Sequence, residues 1–182
     1  MIFDFVHLGD SRALPWFLPG VAISVGIGLT TGGRVGRVLG LRRAVATALI
    51  VSLGIILSAT LTPQWEALAF GAQGSGSCDF SRMGLVPLRE LARFDDPSLN
   101  VLLFMPLGTS IAFMPRSRLM VIILVAAIVL PFAIETTQLI VPWLDRACES
   151  ADVIDNLTGL VLGLAGGAAA GWLAGAVYRR AR

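Results

Sequence analysis

The amino-acid sequence predicts an all-α fold, a polytopic membrane bundle of five transmembrane helices with a short extracytoplasmic amphipathic helix. Three observations lead there. The chain is 55% hydrophobic and only 14% charged, with mean hydropathy +0.80, whereas a soluble domain carries about 25% charged residues. Its apolar residues gather into five runs long enough to read as membrane spans. The segments between those runs alternate between arginine-rich and acidic. A chain of 182 residues with this pattern is expected to form one membrane domain, residues 1–182.

The first span is expected at about Pro15–Thr31 and the second at about Ala44–Thr62. The third, about Pro97–Met114, opens with Asp96 as an N-cap and Pro97 at the first helical position. The fourth, about Leu119–Val141, carries Pro131 as an expected kink. The fifth, about Asp152–Tyr178, starts at a capping Asp. A helix rises 1.5 Å per residue and needs about 20 residues for a core about 30 Å thick, so the first and third spans are short. A signal peptide is not expected, because Asp4, His7 and Asp10 outweigh Arg12 before the first apolar run.

Charge sorting orients the bundle. Arg34, Arg37, Arg42, Arg43, Arg116, Arg118, Arg179, Arg180 and Arg182 share one side, nine arginines without an acid. The other side holds 11 of the 12 acids and five arginines. Positive-inside sorting then gives a multi-pass cell-membrane protein with its N-terminus outside and its C-terminus in the cytoplasm. All 14 basic residues are arginine, which says little about mechanism. Cys78 and Cys148 both fall on the outer side, where an oxidising compartment favours a disulfide between them over two separate thiols.

The outer loop, residues 63–98, passes through the flexible stretch GAQGSGS and then LVPLRELARF. Leu85, Leu88, Leu91 and Ala92 recur at helical spacing, with Arg89, Glu90 and Arg93 available for the opposite face. This predicts an amphipathic helix on the outer interface, with Trp65, Phe70 and Phe80 as nearby anchors. Arg89 and Arg93 either bind phosphate or simply reach towards lipid headgroups. In the last span Gly159, Gly163, Gly167, Gly171 and Gly175 recur every four residues. Such a stripe lets a neighbouring backbone approach closely, and its partner is either a helix of this chain or a second copy.

The chemistry concentrates in a few polar residues. Sixteen apolar residues, Leu119 to Ile134, lead into Glu135, and Gln138 follows on the same helix face. A carboxylate within a membrane costs roughly 2–3 kcal/mol or more, so it needs a partner. Glu135 lies about 9 Å of helix rise below the outer end of its span. Asn100, Arg146, Asp152, Asp155 and Asn156 fall at the same depth. One cluster is expected, in which Gln138 and Asn100 hold Glu135 and Arg146 reaches down to it. The competing structural readings are an Asp152 N-cap, Asp155 and Asn156 as first-turn residues, and a purely structural Glu135–Arg146 pair.

These residues carry a resemblance. The order N-VLLFMPLG, IETTQL and R-ACESADVIDNLTG is similar to the VanZ-like family, membrane proteins associated with teicoplanin resistance. The matching positions are Asn100, Phe104, Pro106, Gly108, Glu135, Gln138, Arg146, Asp152, Asp155, Asn156 and Gly159, within about residues 84–170. An upstream family motif is only partly met by Gly84-Leu85-Val86-Pro87-Leu88. The resemblance implies a role in glycopeptide resistance, whose target, the lipid-linked cell-wall precursor, lies in the outer leaflet.

Three functions compete. In the first, the cluster and the loop arginines engage a lipid-linked envelope precursor or a lipoglycopeptide without chemistry. In the second, Glu135 is the general acid or base of an enzyme acting on an outer-leaflet lipid phosphate, with a divalent cation on Asp152 and Asp155 and Arg146 on phosphate. In the third, the chain is a scaffold or homo-oligomer packed through the glycine seam. No cofactor, zinc site or nucleic-acid partner is expected, since the one His is His7, far from the cluster, and no cysteine pair has metal spacing.

Overall fold

The computed structural model of the chain describes residues 15–71, 76–85 and 96–180. The expected amphipathic helix falls, beyond Leu85, outside these residues, as do Arg89 and Arg93. Among the described residues there are five long helices and one short one: α1 (Phe17–Leu39), α2 (Arg43–Thr60), α3 (Trp65–Phe70), α4 (Asp96–Ala112), α5 (Arg118–Ile140) and α6 (Ser150–Arg180). A 3₁₀ turn, Pro142–Leu144, follows α5. Two short strands, β1 (Cys78–Asp79) and β2 (Cys148–Glu149), pair in parallel and are the one departure from an all-α architecture among the described residues.

Among the described residues, three helices are long and apolar enough to cross a membrane: Arg43–Thr60, Arg118–Ile140 and Ser150–Val177 of α6. The apolar part of α4, Ser98–Ala112, is shorter. In α1, six glycines and two threonines dilute the apolar content, and the helix runs on through Arg34 and Arg37. The helix thus continues eight residues past Thr31, the expected end of the first apolar span, to Leu39. Gly32 and Gly36 do not break the helix because they are its buried packing face. Termination waits for Gly40, whose φ of 67° is the left-handed conformation that closes a helix and that glycine adopts without strain. At the same end of the bundle, Ser117 caps α5 by accepting from the Met120 N–H. Helix α5 then runs unbroken through Pro131.

Small residues set the helix pairings. Along α1 and α2 the contacts are antiparallel: Gly20 meets Ser58, Ser24 meets Gly54, and Gly32 meets Thr47. Thr47 Oγ1 also donates to the Gly28 carbonyl at 3.1 Å. Helices α4 and α6 instead run parallel. Gly159 faces Val101, Gly163 faces Met105, and Gly167 faces Thr109 and Ala112. A Cβ at Gly159 would stand 2.0 Å from the Val101 carbonyl oxygen, so the two backbones touch. The open choice of partner for the glycine seam is thus settled along Gly159–Gly167: α4 of the same chain occupies it, and a second copy has no room there. The core is completed by Ile56, Phe104, Ile111, Ile134 and Leu160, drawn from α2, α4, α5 and α6.

These pairings sort the chain ends. The turn after α1 and the link between α4 and α5 meet at one end through Leu41, Val45, Ala46, Met114 and Leu119. The turn after α2, the β1–β2 pair and the start of α6 meet at the other. Arginine collects at the first end and acid at the second, as the charge pattern of the sequence requires.

Candidate functional site

A helix leaves its last carbonyls without intrahelical partners. At the end of α2 two side chains from elsewhere take them up. Gln138, 7% exposed on α5, donates from Nε2 to the Thr60 carbonyl at 3.0 Å. Arg146 Nη2 donates to the Ala59 carbonyl at 2.9 Å and to that of Thr62 at 3.3 Å. A cation is favoured at this negative end of the helix dipole. Local sequence brings Arg146 there. Pro142 turns the chain out of α5, Asp145 reverses it with a φ of 54°, and buried Leu144 anchors the corner. Burial pushes the guanidinium of Arg146 below its usual basicity, while the nearby Asp152 carboxylate works against that shift.

Glu135 is one turn deeper in α5 and 5% exposed. Its Oε2 accepts the Glu149 backbone N–H at 2.8 Å. Glu149 belongs to β2, whose neighbour Cys148 pairs with Cys78 in the strand ladder and is joined to it by a disulfide with a Cα–Cα distance of 4.5 Å. Glu135 therefore holds the covalently clamped rim of the bundle from beneath, through its hydrogen bond to the Glu149 N–H. Asp152 and Glu149 lie within electrostatic reach of it.

The clamp also positions Arg82. Four residues beyond Cys78, its guanidinium forms an ion pair with Asp155, whose side chain is 1% exposed. Arg82 Nη1 donates to the Gly84 carbonyl at 3.0 Å, and Ser150 Oγ donates to the Arg82 carbonyl at 2.9 Å. An Asx turn, with Ser81 N–H donating to Asp79 Oδ1, sets the approach. That ion pair occupies the carboxylate which a cation held by Asp152 and Asp155 would need.

The expected four-membered cluster is thus rearranged. Glu135 is held by the backbone of Glu149, not by Gln138 and Asn100, and Arg146 reaches the α2 carbonyls instead of Glu135. The physical reason is that α2, silent in a motif reading, offers exposed helix-end carbonyls at the right depth. Asn100 is half-buried on α4 and is no partner of Glu135. Helix α6 begins at Ser150, so Asp152 sits within the first turn and is not the N-cap. Asp155 and Asn156 sit a turn later and are buried, at 0% and 1% exposure. Arg82, Glu149, Ser150 and the α2 carbonyls were missed by sequence reasoning. Only Arg82 carried a signal there: the Cys78–Cys148 disulfide places it beside the start of α6.

What remains is a set of buried polar atoms without partners among the described residues: Gln138 Oε1 on α5, Arg146 Nε in the following loop and Asn156 Oδ1 on α6. One donor and two acceptors, on three chain segments, are thus left without a protein partner. Buried groups of this kind cost free energy until something pairs with them.

The sequence pattern of the VanZ/LLP1 family matches residues 45–171. That span covers α2 through most of α6 and leaves out α1. It begins well upstream of the motif-bearing region, consistent with α2 supplying carbonyls to the polar end. No curated protein and no solved structure matches the chain.

Proposed function

This chain belongs to the VanZ/LLP1 family, and we propose that the acidic, disulfide-clamped end of its bundle binds the polar headgroup of a lipid-linked cell-envelope precursor, or of a lipoglycopeptide, without chemistry. On this reading the chain crosses the cell membrane five times, with α4 as a short, largely protein-covered span. The acidic end faces outward and the C-terminus lies in the cytoplasm, as positive-inside sorting favours. Teicoplanin resistance is the phenotype this reading predicts, through competition for or shielding of the outer-leaflet precursor.

One observation carries the proposal: Gln138 Oε1, Arg146 Nε and Asn156 Oδ1 are buried and unpaired on three different segments. Sugar hydroxyls donate and accept while diphosphate oxygens accept, and a site built to pair with them rejects a ligand that leaves these groups bare. Glu135 and Arg146 act as positioning residues for this end. Glu135 is engaged by the Glu149 N–H and Arg146 Nη2 by two carbonyls, which supports a rigid receptor more than a general acid or base. Loop arginines Arg89 and Arg93 supply phosphate contacts on the same side.

The test is binding of a short-chain polyprenyl-diphosphate disaccharide-peptide to the full chain in nanodiscs. Wild type is expected to bind, and Asn156→Ala and Arg146→Lys to lose at least tenfold in affinity while keeping the disulfide. Turnover of the radiolabelled ligand by wild type, abolished in Glu135→Gln, would replace the receptor with an enzyme. Equal affinity of all variants overturns the site.

A further inference from the structure

The opposite end of the bundle holds a feature that the polar site does not use. An apolar groove of about 450 Å³ opens between α1, α2, α4 and α5. Leu39, Leu41, Ala46, Leu53, Ile123 and Leu130 mark its extent, and every residue lining it is Ala, Val, Leu or Ile. A groove so apolar gives water no hydrogen-bond partner and suits hydrocarbon.

Its depth and rim identify which hydrocarbon. From Arg43 to Leu53 helix α2 rises about 15 Å, half of a hydrocarbon core about 30 Å thick. From the arginine-rich end inward, the groove therefore matches a single leaflet in length. At that end Arg34, Arg37, Arg42, Arg116 and Arg118 are all exposed. No acid occurs in residues 11–65 or 97–134 to neutralise them. Arg43 is engaged, its Nη2 donating to the Leu29 carbonyl at 3.1 Å, but the other five make no ion pair among the described residues. Leu39 and Leu41, at the mouth, flank the turn that carries Arg42.

We propose that this groove holds one acyl chain of an anionic glycerophospholipid, whose phosphate rests on the arginine rim. The site lies at the opposite end of the bundle from Gln138, Arg146 and Asn156 and is independent of it. A second copy of the chain would leave the rim charges facing one another, since an isologous contact brings like surface onto like surface.

The experiment is native mass spectrometry of the full chain released from nanodiscs of equimolar phosphatidylglycerol and phosphatidylcholine. Wild type is expected to retain phosphatidylglycerol preferentially. Arg37→Gln with Arg42→Gln, both at exposed positions, is expected to lower that preference about twenty-five-fold, at about fivefold per basic residue near the surface. Ala126→Phe, at an exposed position lining the groove, is expected to expel lipid of both kinds with the melting temperature unchanged. If Ala126→Phe does not fold, Leu53→Phe, on the facing helix, takes its place. Equal retention of the two lipids by wild type overturns the proposal. So does undiminished retention in the groove-filling variant, or its conversion of a dimer to a monomer with bound lipid unchanged.

Discussion

Gln138 on α5 and Thr60 at the end of α2 are joined by a buried hydrogen bond, Nε2 to carbonyl oxygen at 3.0 Å, across 78 residues of sequence. The bond closes the last turn of one membrane helix with the side chain of another. It makes the polar end of this bundle a property of helix arrangement, and it defines the first prediction. Gln138→Leu leaves the Thr60 carbonyl bare in an apolar setting and is expected to cost about 1–3 kcal/mol. The measurement is thermal unfolding in detergent, where an unchanged midpoint would show that the bond contributes nothing.

The disulfide should matter more. Cys78 and Cys148 are 70 residues apart, and closing a loop of that length constrains the unfolded chain by about 4 kcal/mol on the chain-entropy account. Cys78→Ser, or reduction of wild type, is expected to lower the melting midpoint and to retard the band on a non-reducing gel. Release of the strand pair also frees Arg82, so loss of ligand binding should accompany the loss of stability.

Arg82→Ala removes the partner of a carboxylate that is fully buried. Breaking a buried pair from one side costs about 3–5 kcal/mol, and the partial exposure of Arg82 places the expected loss at the lower end. Arg82→Ala with Asp155→Asn should recover part of it, since a neutral amide is cheaper to bury than a carboxylate that has lost its ion pair. A double-mutant cycle on unfolding free energies reads this directly, and full additivity of the two changes would count against the pair.

The glycine seam predicts a contrast along one helix. Gly159→Val sets a side chain against the Val101 carbonyl, where even a Cβ stands 2.0 Å away, and is expected to prevent α4 and α6 from packing. At Gly166 nothing lies within 4 Å, so Gly166→Ala should be neutral or slightly stabilising through helix propensity. Yield of folded protein by size-exclusion chromatography separates the two.

Much of this molecule is written locally. Apolar runs announce helices whatever their surroundings, because a run such as Leu119–Ile134 has no other way to satisfy its backbone in lipid. Glu135 announces itself for the same reason, since a carboxylate in such a run is costly enough to demand a partner. Local signals were weaker at helix ends. Gly32 and Gly36 look like breakers, and only the facing α2 shows them to be packing positions. Asp152 looks like a cap, and only the preceding strand pair moves the start of α6 back to Ser150.

By itself, then, the sequence determined the helical class, the segregation of arginine from acid to opposite ends, and which polar residues carry a burial cost. These follow from free energies of transfer, which each segment feels alone. Tertiary structure alone decided who answers whom: Glu135 with the Glu149 N–H, Arg146 with the α2 carbonyls, Arg82 with Asp155, and α4 with the glycine seam. Partner choice depends on distances between segments far apart in the chain, and hydrogen bonds and ion pairs act only within a few ångströms.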